Sequence, residues 1–78
     1  MTALTITRTA QDDRAATLTI ADAKGKSCTG RFYADGSGRV LDGSTSVYDN
    51  AQRALGKSRV RTAIRVAVVD GSATVEAI

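Results

Sequence analysis

Two segments near the start of the chain alternate apolar residues with threonine, and this alternation constrains the fold more than any other feature. Leu4 and Ile6 alternate with threonines in the first segment, as Leu18 and Ile20 do in the second. A period of two places apolar side chains on one face of a strand and the threonines on the other. The sequence predicts two half-buried strands with a threonine-rich outer face, formed by Thr5, Thr7, Thr9, Thr17 and Thr19.

A third strand follows, and the side-chain types predict how it pairs with the second. A two-residue turn at Lys24-Gly25 would place Ile20 opposite Thr29 and mix polar with apolar positions. A three-residue loop at residues 23–25 places Ile20 opposite Cys28 and keeps the apolar set on one face. It also puts the glycine of the loop where a positive φ is needed. We therefore predict the three-residue loop.

The middle of the chain predicts a short fourth strand at residues 39–41, followed by one helix. Ser46 is the expected N-cap, and Gly56 is the expected stop after the last turn. Between them, apolar residues recur at helical spacing and should face the core: Val47, Ala51, Ala54 and Leu55.

Residues 59–69 fit two patterns. A second helix would bury Val60, Ile64, Ala67 and Val68, whereas a strand is indicated by unbroken alternation of mostly β-branched residues. Asp70-Gly71 is a strong hairpin signal, and a turn there pairs Val66 with Val75 and Arg65 with Glu76. We therefore predict a C-terminal hairpin formed by residues 60–69 and 72–78.

These elements predict one α+β domain over residues 1–78. The order is βββ(β)αββ, an antiparallel sheet of about five strands with one helix packed on one face. A chain of 78 residues is long enough for one domain of this kind.

The composition argues against chemistry and for binding. The chain has no histidine, which removes the commonest general base and metal ligand. Its one cysteine, Cys28, cannot form an internal disulfide and is expected to be a buried, structural thiol. We expect no enzymatic activity, no metal and no cofactor. The lack of a disulfide framework and of a signal-peptide pattern predicts a cytoplasmic protein.

The positive charge is concentrated in one part of the chain. Residues 1–52 carry six basic and six acidic side chains, so the net charge of +3 arises after them. The basic segment, residues 53–65, has five basic side chains and no acid; they are Arg53, Lys57, Arg59, Arg61 and Arg65. This segment is either a solvated face, partly paired with Glu76, or a binding patch for phosphates or an acidic protein surface.

Several of these segments resemble small phage anti-CRISPR proteins. The resemblance lies in the strands at residues 4–9 and 17–20, then Gly25-Lys26, Gly30-Arg31 and an alanine-containing helix. Such proteins are compact single domains that block a host CRISPR effector by binding it. Many of them are acidic and mimic DNA, which this basic chain does not match, and no functional residue can be transferred.

The sequence thus leads to two functional hypotheses. The first is a non-enzymatic interaction protein that binds a protein or a protein–nucleic-acid complex, as an inhibitor of a host CRISPR or other antiviral defence complex would. The alternative is a small nucleic-acid-binding domain that uses the basic segment. Nucleic-acid binding by stacking needs aromatic side chains, of which only Tyr33 and Tyr48 are candidates. No membrane partner is expected, since no stretch is long enough to span one.

Overall fold

The computed structural model describes residues 3–76, which form five strands and two helices. The elements are β1 (Ala3–Gln11), β2 (Ala15–Asp22), β3 (Ser27–Tyr33), β4 (Gly38–Gly43), α1 (Thr45–Leu55), α2 (Lys57–Asp70) and β5 (Ser72–Glu76). Within these residues, no helix has the length and apolar character needed to cross a membrane.

All five strands join one antiparallel sheet, in the order β4-β3-β2-β1-β5. The first four strands form a meander, and β5 returns to the free side of β1. The predicted α+β class and antiparallel five-stranded sheet are confirmed. Two helices, instead of the one predicted, pack on one face: α1 lies against β2, β3 and β4, and α2 lies mainly against β5 and β1.

The predicted register of β2 and β3 is confirmed. Ile20 lies opposite Cys28, as the three-residue loop requires. The Asp22 N–H donates to the Lys26 carbonyl at 2.9 Å and so closes the loop. Gly25 has a φ of +89°, a conformation that residues with a Cβ rarely adopt.

The predicted C-terminal hairpin is wrong, because residues 57–70 form a helix. Val66 does not pair with Val75, which lies opposite Leu4 of β1. The predicted strand segment, 72–78, is observed as β5 up to Glu76, and residues 77 and 78 lie outside the described range. The segment forms a helix because its apolar residues also recur at helical spacing, which places one stripe of them against the sheet. The stripe is formed by Val60, Ala63, Ile64, Ala67 and Val68.

The first helix follows the prediction more closely. Its N-cap is Ser44 instead of Ser46, so the helix begins at Thr45, and Gly56 follows its last residue as predicted. Val47, Ala51 and Leu55 are buried, whereas Ala54 is exposed.

The core lies between the helices and the inner face of the sheet. Phe32 is its largest buried side chain, and each fully buried Leu, Ile or Phe contributes about 1.5–3 kcal/mol. Gly30 is part of this packing: a Cβ there would lie 2.5 Å from the Arg39 carbonyl oxygen and 2.6 Å from Cε2 of Phe32. The Phe32 ring thus occupies the space that any larger residue at position 30 would need.

An arginine of β1 holds the end of α2, a role that the sequence did not predict. The Arg8 guanidinium donates from Nη1 to the carbonyl of Val68 at 2.7 Å and to that of Val69 at 3.4 Å. These carbonyls lie in the last turn, where a helix carries partial negative charge. Gly71 follows in the left-handed conformation, with φ +99°, and its N–H donates to the Ala67 carbonyl. Gly71 therefore ends a helix instead of turning a hairpin.

Replacing Arg8 should lower the stability of the whole domain. We expect Arg8→Met to reduce the free energy of unfolding by about 1–2 kcal/mol, because it keeps the apolar stem and removes the charged donor from the helix end. Urea denaturation followed by circular dichroism measures this. Arg14→Met, in the exposed turn between β1 and β2, is the matched control; an equal effect of both substitutions would contradict the role of Arg8.

Candidate functional site

The structure divides the basic segment between two sides of α2. Arg53 lies in the last turn of α1, and the other four residues lie on α2. All five are exposed. In the predicted hairpin strand, Arg59, Arg61 and Arg65 would share one face, and this arrangement is wrong because this part of the chain is helical. On a helix, side chains three or four positions apart in sequence lie on the same side, whereas side chains two positions apart do not.

Arg61 and Arg65 pack over the turn between β3 and β4. Nε of Arg61 donates to the Asp35 carbonyl at 3.1 Å. A Cβ at Gly36 would lie 2.6 Å from Cγ of Arg61 and 2.9 Å from Cγ of Arg65, so the stems of both arginines cover this glycine. Arg61 and Arg65 therefore help to hold this turn against α2.

Arg59 points the other way, toward β5. Its Nη2 donates to the main-chain carbonyl of Glu76 at 2.6 Å. The predicted cross-strand pair of Arg65 with Glu76 does not form, since Glu76 lies opposite Ala3.

Beside Arg59, a groove runs between α2 and β5. This α2–β5 groove has a volume of about 500 Å³, within the range of many ligand pockets. It is lined by Ser58, Arg59, Thr62, Ala63 and Val66 of α2 and by residues 73–76 of β5. Val66 is 40% exposed although it is large and apolar. The sequence analysis placed Val66 in a strand and so missed this role. On a helix, Val66 falls outside the stripe of buried residues, and this pattern could have identified it as a groove residue.

The groove lies along an edge of the sheet. Within residues 3–76, β5 is paired only with β1, and the Arg8 N–H donates to the Gly71 carbonyl at 2.8 Å. Because main-chain groups of an antiparallel strand alternate in direction, Ala73 and Val75 direct theirs toward β1. Those of Ser72, Thr74 and Glu76 point outward, and the bond from Arg59 to the Glu76 carbonyl agrees with this.

The predicted threonine-rich face is the side of the sheet without helices, here called the outer face. Leu4, Ile6, Leu18 and Ile20 are buried on the opposite face. The threonines that alternate with them are exposed in β1 and half-buried in β2.

Two titratable side chains among the described residues have a pKa raised by burial. Cys28 is buried in the core, as predicted, and burial raises the pKa of its thiol. Burial also raises the pKa of Tyr48, which packs against Phe32 with ring centroids 5.8 Å apart. Over residues 3–76 there is no cluster of three or more metal-ligating side chains.

Comparisons with known proteins add no family. A scan against protein-family models, a search of curated proteins and a search of solved structures each find no match for this chain.

Asp12 should make stability depend on pH. The hydrogen bond from the Ala15 N–H lowers the pKa of Asp12 most, followed by the hydrogen bond from the Arg14 N–H and by the charge of Arg31. A carboxyl group whose pKa is lower in the folded chain stabilises the fold above its unfolded pKa, near 4, and this contribution is lost as pH falls through the folded pKa. We expect Asp12→Asn to be less stable than the parent at pH 6 and nearly equal to it at pH 2.5, as measured by urea denaturation. An equal difference at both pH values would contradict this.

Proposed function

We propose that this protein is a non-enzymatic interaction protein that binds an extended segment of a protein partner in the α2–β5 groove. The observation that carries the proposal is the outward-facing main chain of β5 beside an apolar groove. An added strand of this kind obtains affinity from main-chain hydrogen bonds and specificity from the side chains that enter the groove.

The edge of β5 offers the main-chain part of this binding. The outward N–H and carbonyl groups of Ser72 and Thr74 can pair with a sixth strand. Each such bond contributes about 0.5–1.5 kcal/mol in net terms. Arg59 occupies the outward carbonyl of Glu76, so pairing is directed to the part of β5 before Glu76.

The groove supplies the side-chain part. A bound strand would direct every second side chain toward α2, between Val66 on the helix and Ala73 on the strand. Ala63 and Ala73 are small, and this leaves room for aliphatic side chains of the partner. An alternating segment with apolar residues at every second position fits this shape best.

One member of the basic segment lies at this site, and the others add to the long-range positive field around it. Arg59 lies at one end of the groove, and Lys57 lies at the start of the same helix. The other members of the segment are Arg53, Arg61 and Arg65. Their net positive charge favours an acidic partner surface and would speed association more than it strengthens the final contacts. The resemblance to small phage anti-CRISPR proteins makes a host CRISPR effector the first partner to test, with inhibition as the expected result.

The alternative, a nucleic-acid-binding domain based on the basic segment, has less support from the geometry. Proteins of this kind bind the phosphate backbone along a continuous basic groove. Here Arg59 and the Arg61–Arg65 pair lie on different sides of α2. Tyr48, one of the two aromatic candidates, packs against Phe32.

Two substitutions test the groove directly. Peptides selected from a phage-displayed random library would be labelled, and their affinities measured by fluorescence anisotropy. We expect Thr74→Pro to weaken binding at least about ten-fold, because it removes an outward N–H and no bond to β1. Val66→Lys should have a similar effect by placing a charge in the apolar groove.

Val69→Lys is the matched control, since Val69 is exposed on α2 and lies outside the groove. Amide hydrogen exchange gives a second measurement: a bound peptide should protect the Thr74 N–H. Selected peptides that bind all three variants equally, or that leave this amide unprotected, would contradict the proposal.

A further inference from the structure

A second surface, on the outer face of the sheet at the opposite edge, combines two arginines with an exposed aromatic ring. The register of β3 with β4 places Arg31 directly opposite Arg39. Tyr33 lies two residues beyond Arg31 and therefore on the same face. Together with Gly38 and Leu41, these residues line a shallow cavity with a volume of about 360 Å³.

The two arginines form an arrangement that the fold alone does not favour. Like charges directly opposite each other on neighbouring strands are destabilising. Arg31 forms an ion pair with Asp12, but that carboxylate also accepts the main-chain N–H groups of Arg14 and Ala15, each at 2.8 Å. Arg39 has no ion pair or side-chain hydrogen bond to any of residues 3–76. Within residues 3–76, this one carboxylate, which main-chain groups share, is the only ion-pair partner of the two guanidinium groups, so the pair has unused capacity for an anion.

The apolar part of this surface is also exposed. Tyr33 is 46% exposed and Leu41 is 60% exposed. Leu41 lies at a β-bulge, because the register passes from Thr29–Asp42 to Gly30–Val40 and leaves it without a partner. Bulges commonly redirect a side chain at a sheet edge. Here the bulge places Leu41 beside the arginine pair instead of in the core.

Phosphate groups and unstacked bases match this combination. Arginine binds phosphate through its forked donors, and a base stacks on an exposed aromatic ring. The outer face continues from Arg31 to Thr17 on β2, where a hydroxyl can bond to a sugar or phosphate oxygen. A duplex keeps its bases stacked on one another and cannot use Tyr33 in this way, whereas a single strand can.

We propose that the outer face around Arg31, Tyr33 and Arg39 binds single-stranded nucleic acid. The arginine pair holds a phosphate, and Tyr33 stacks on an adjacent base. This site lies at the β4 edge, separate from both the α2–β5 groove and the basic segment. The protein would thus contact a nucleoprotein partner through two edges of one sheet.

The test uses a fluorescein-labelled twelve-nucleotide oligothymidylate and a DNA duplex of equal length. Anisotropy titrations at several salt concentrations give the affinity and its salt dependence. We expect the single strand to bind more tightly than the duplex. Tyr33→Leu should weaken single-strand binding roughly ten-fold through the loss of stacking. Arg39→Gln should flatten the log–log salt slope by about 0.7, the value for one phosphate on a single strand.

Lys24→Gln is the matched control, because it removes one exposed charge at the β2–β3 loop, away from this surface, and should bind like the parent. Thermal melts should show that every variant stays folded, with Arg39→Gln at least as stable as the parent because it removes the like charge opposite Arg31. Equal binding of single strand and duplex, or no effect of Tyr33→Leu, would overturn the proposal. So would polyglutamate of equal charge that binds as tightly as the single strand, since this would indicate an acidic protein partner.

Discussion

The pairing of β5 with β1 is the constraint on which the rest of the structure depends. These strands are about 70 residues apart in the chain, yet they lie side by side with Leu4 opposite Val75. Both helices must therefore fit between the end of β4 and the start of β5 while covering a single face. The Arg8 guanidinium belongs to the same junction, since it reaches from β1 to the last turn of α2. One short strand thus fixes where the sheet ends, where α2 stops and where the groove lies.

Local patterns were sufficient for the first half of the fold. Alternation gave the inner faces of β1, β2 and β3, and the choice between two loop lengths gave the register of Ile20 with Cys28. Those elements pair with neighbours in sequence, so their side-chain patterns carry the necessary information. The first helix was recognisable for the same reason, because Val47, Ala51 and Leu55 recur at helical spacing.

The second half could not be decided locally. Val60, Val66 and Val68 suit a strand by propensity, and tertiary packing overrides that preference. Asp70-Gly71 is compatible with a hairpin and with a helix that ends at a left-handed glycine, because both need a positive φ. Only the distant partner of β5 separates the two. The site followed the same rule: five basic residues were visible in the sequence, but their distribution around α2 depends on the helix.

The order of the strands also has a consequence for synthesis of the chain. The meander of β1 to β4 can form as soon as those residues leave the ribosome, but β1 keeps an open edge until residues 72–76 follow. During that interval the sheet offers unpaired main-chain groups to any neighbouring chain, which is the usual route to strand exchange and aggregation. The threonines of β1 make the solvent face beside this open edge polar. They limit the apolar surface on this face of the uncovered sheet, whereas the main-chain edge itself stays available to other chains until β5 pairs with β1.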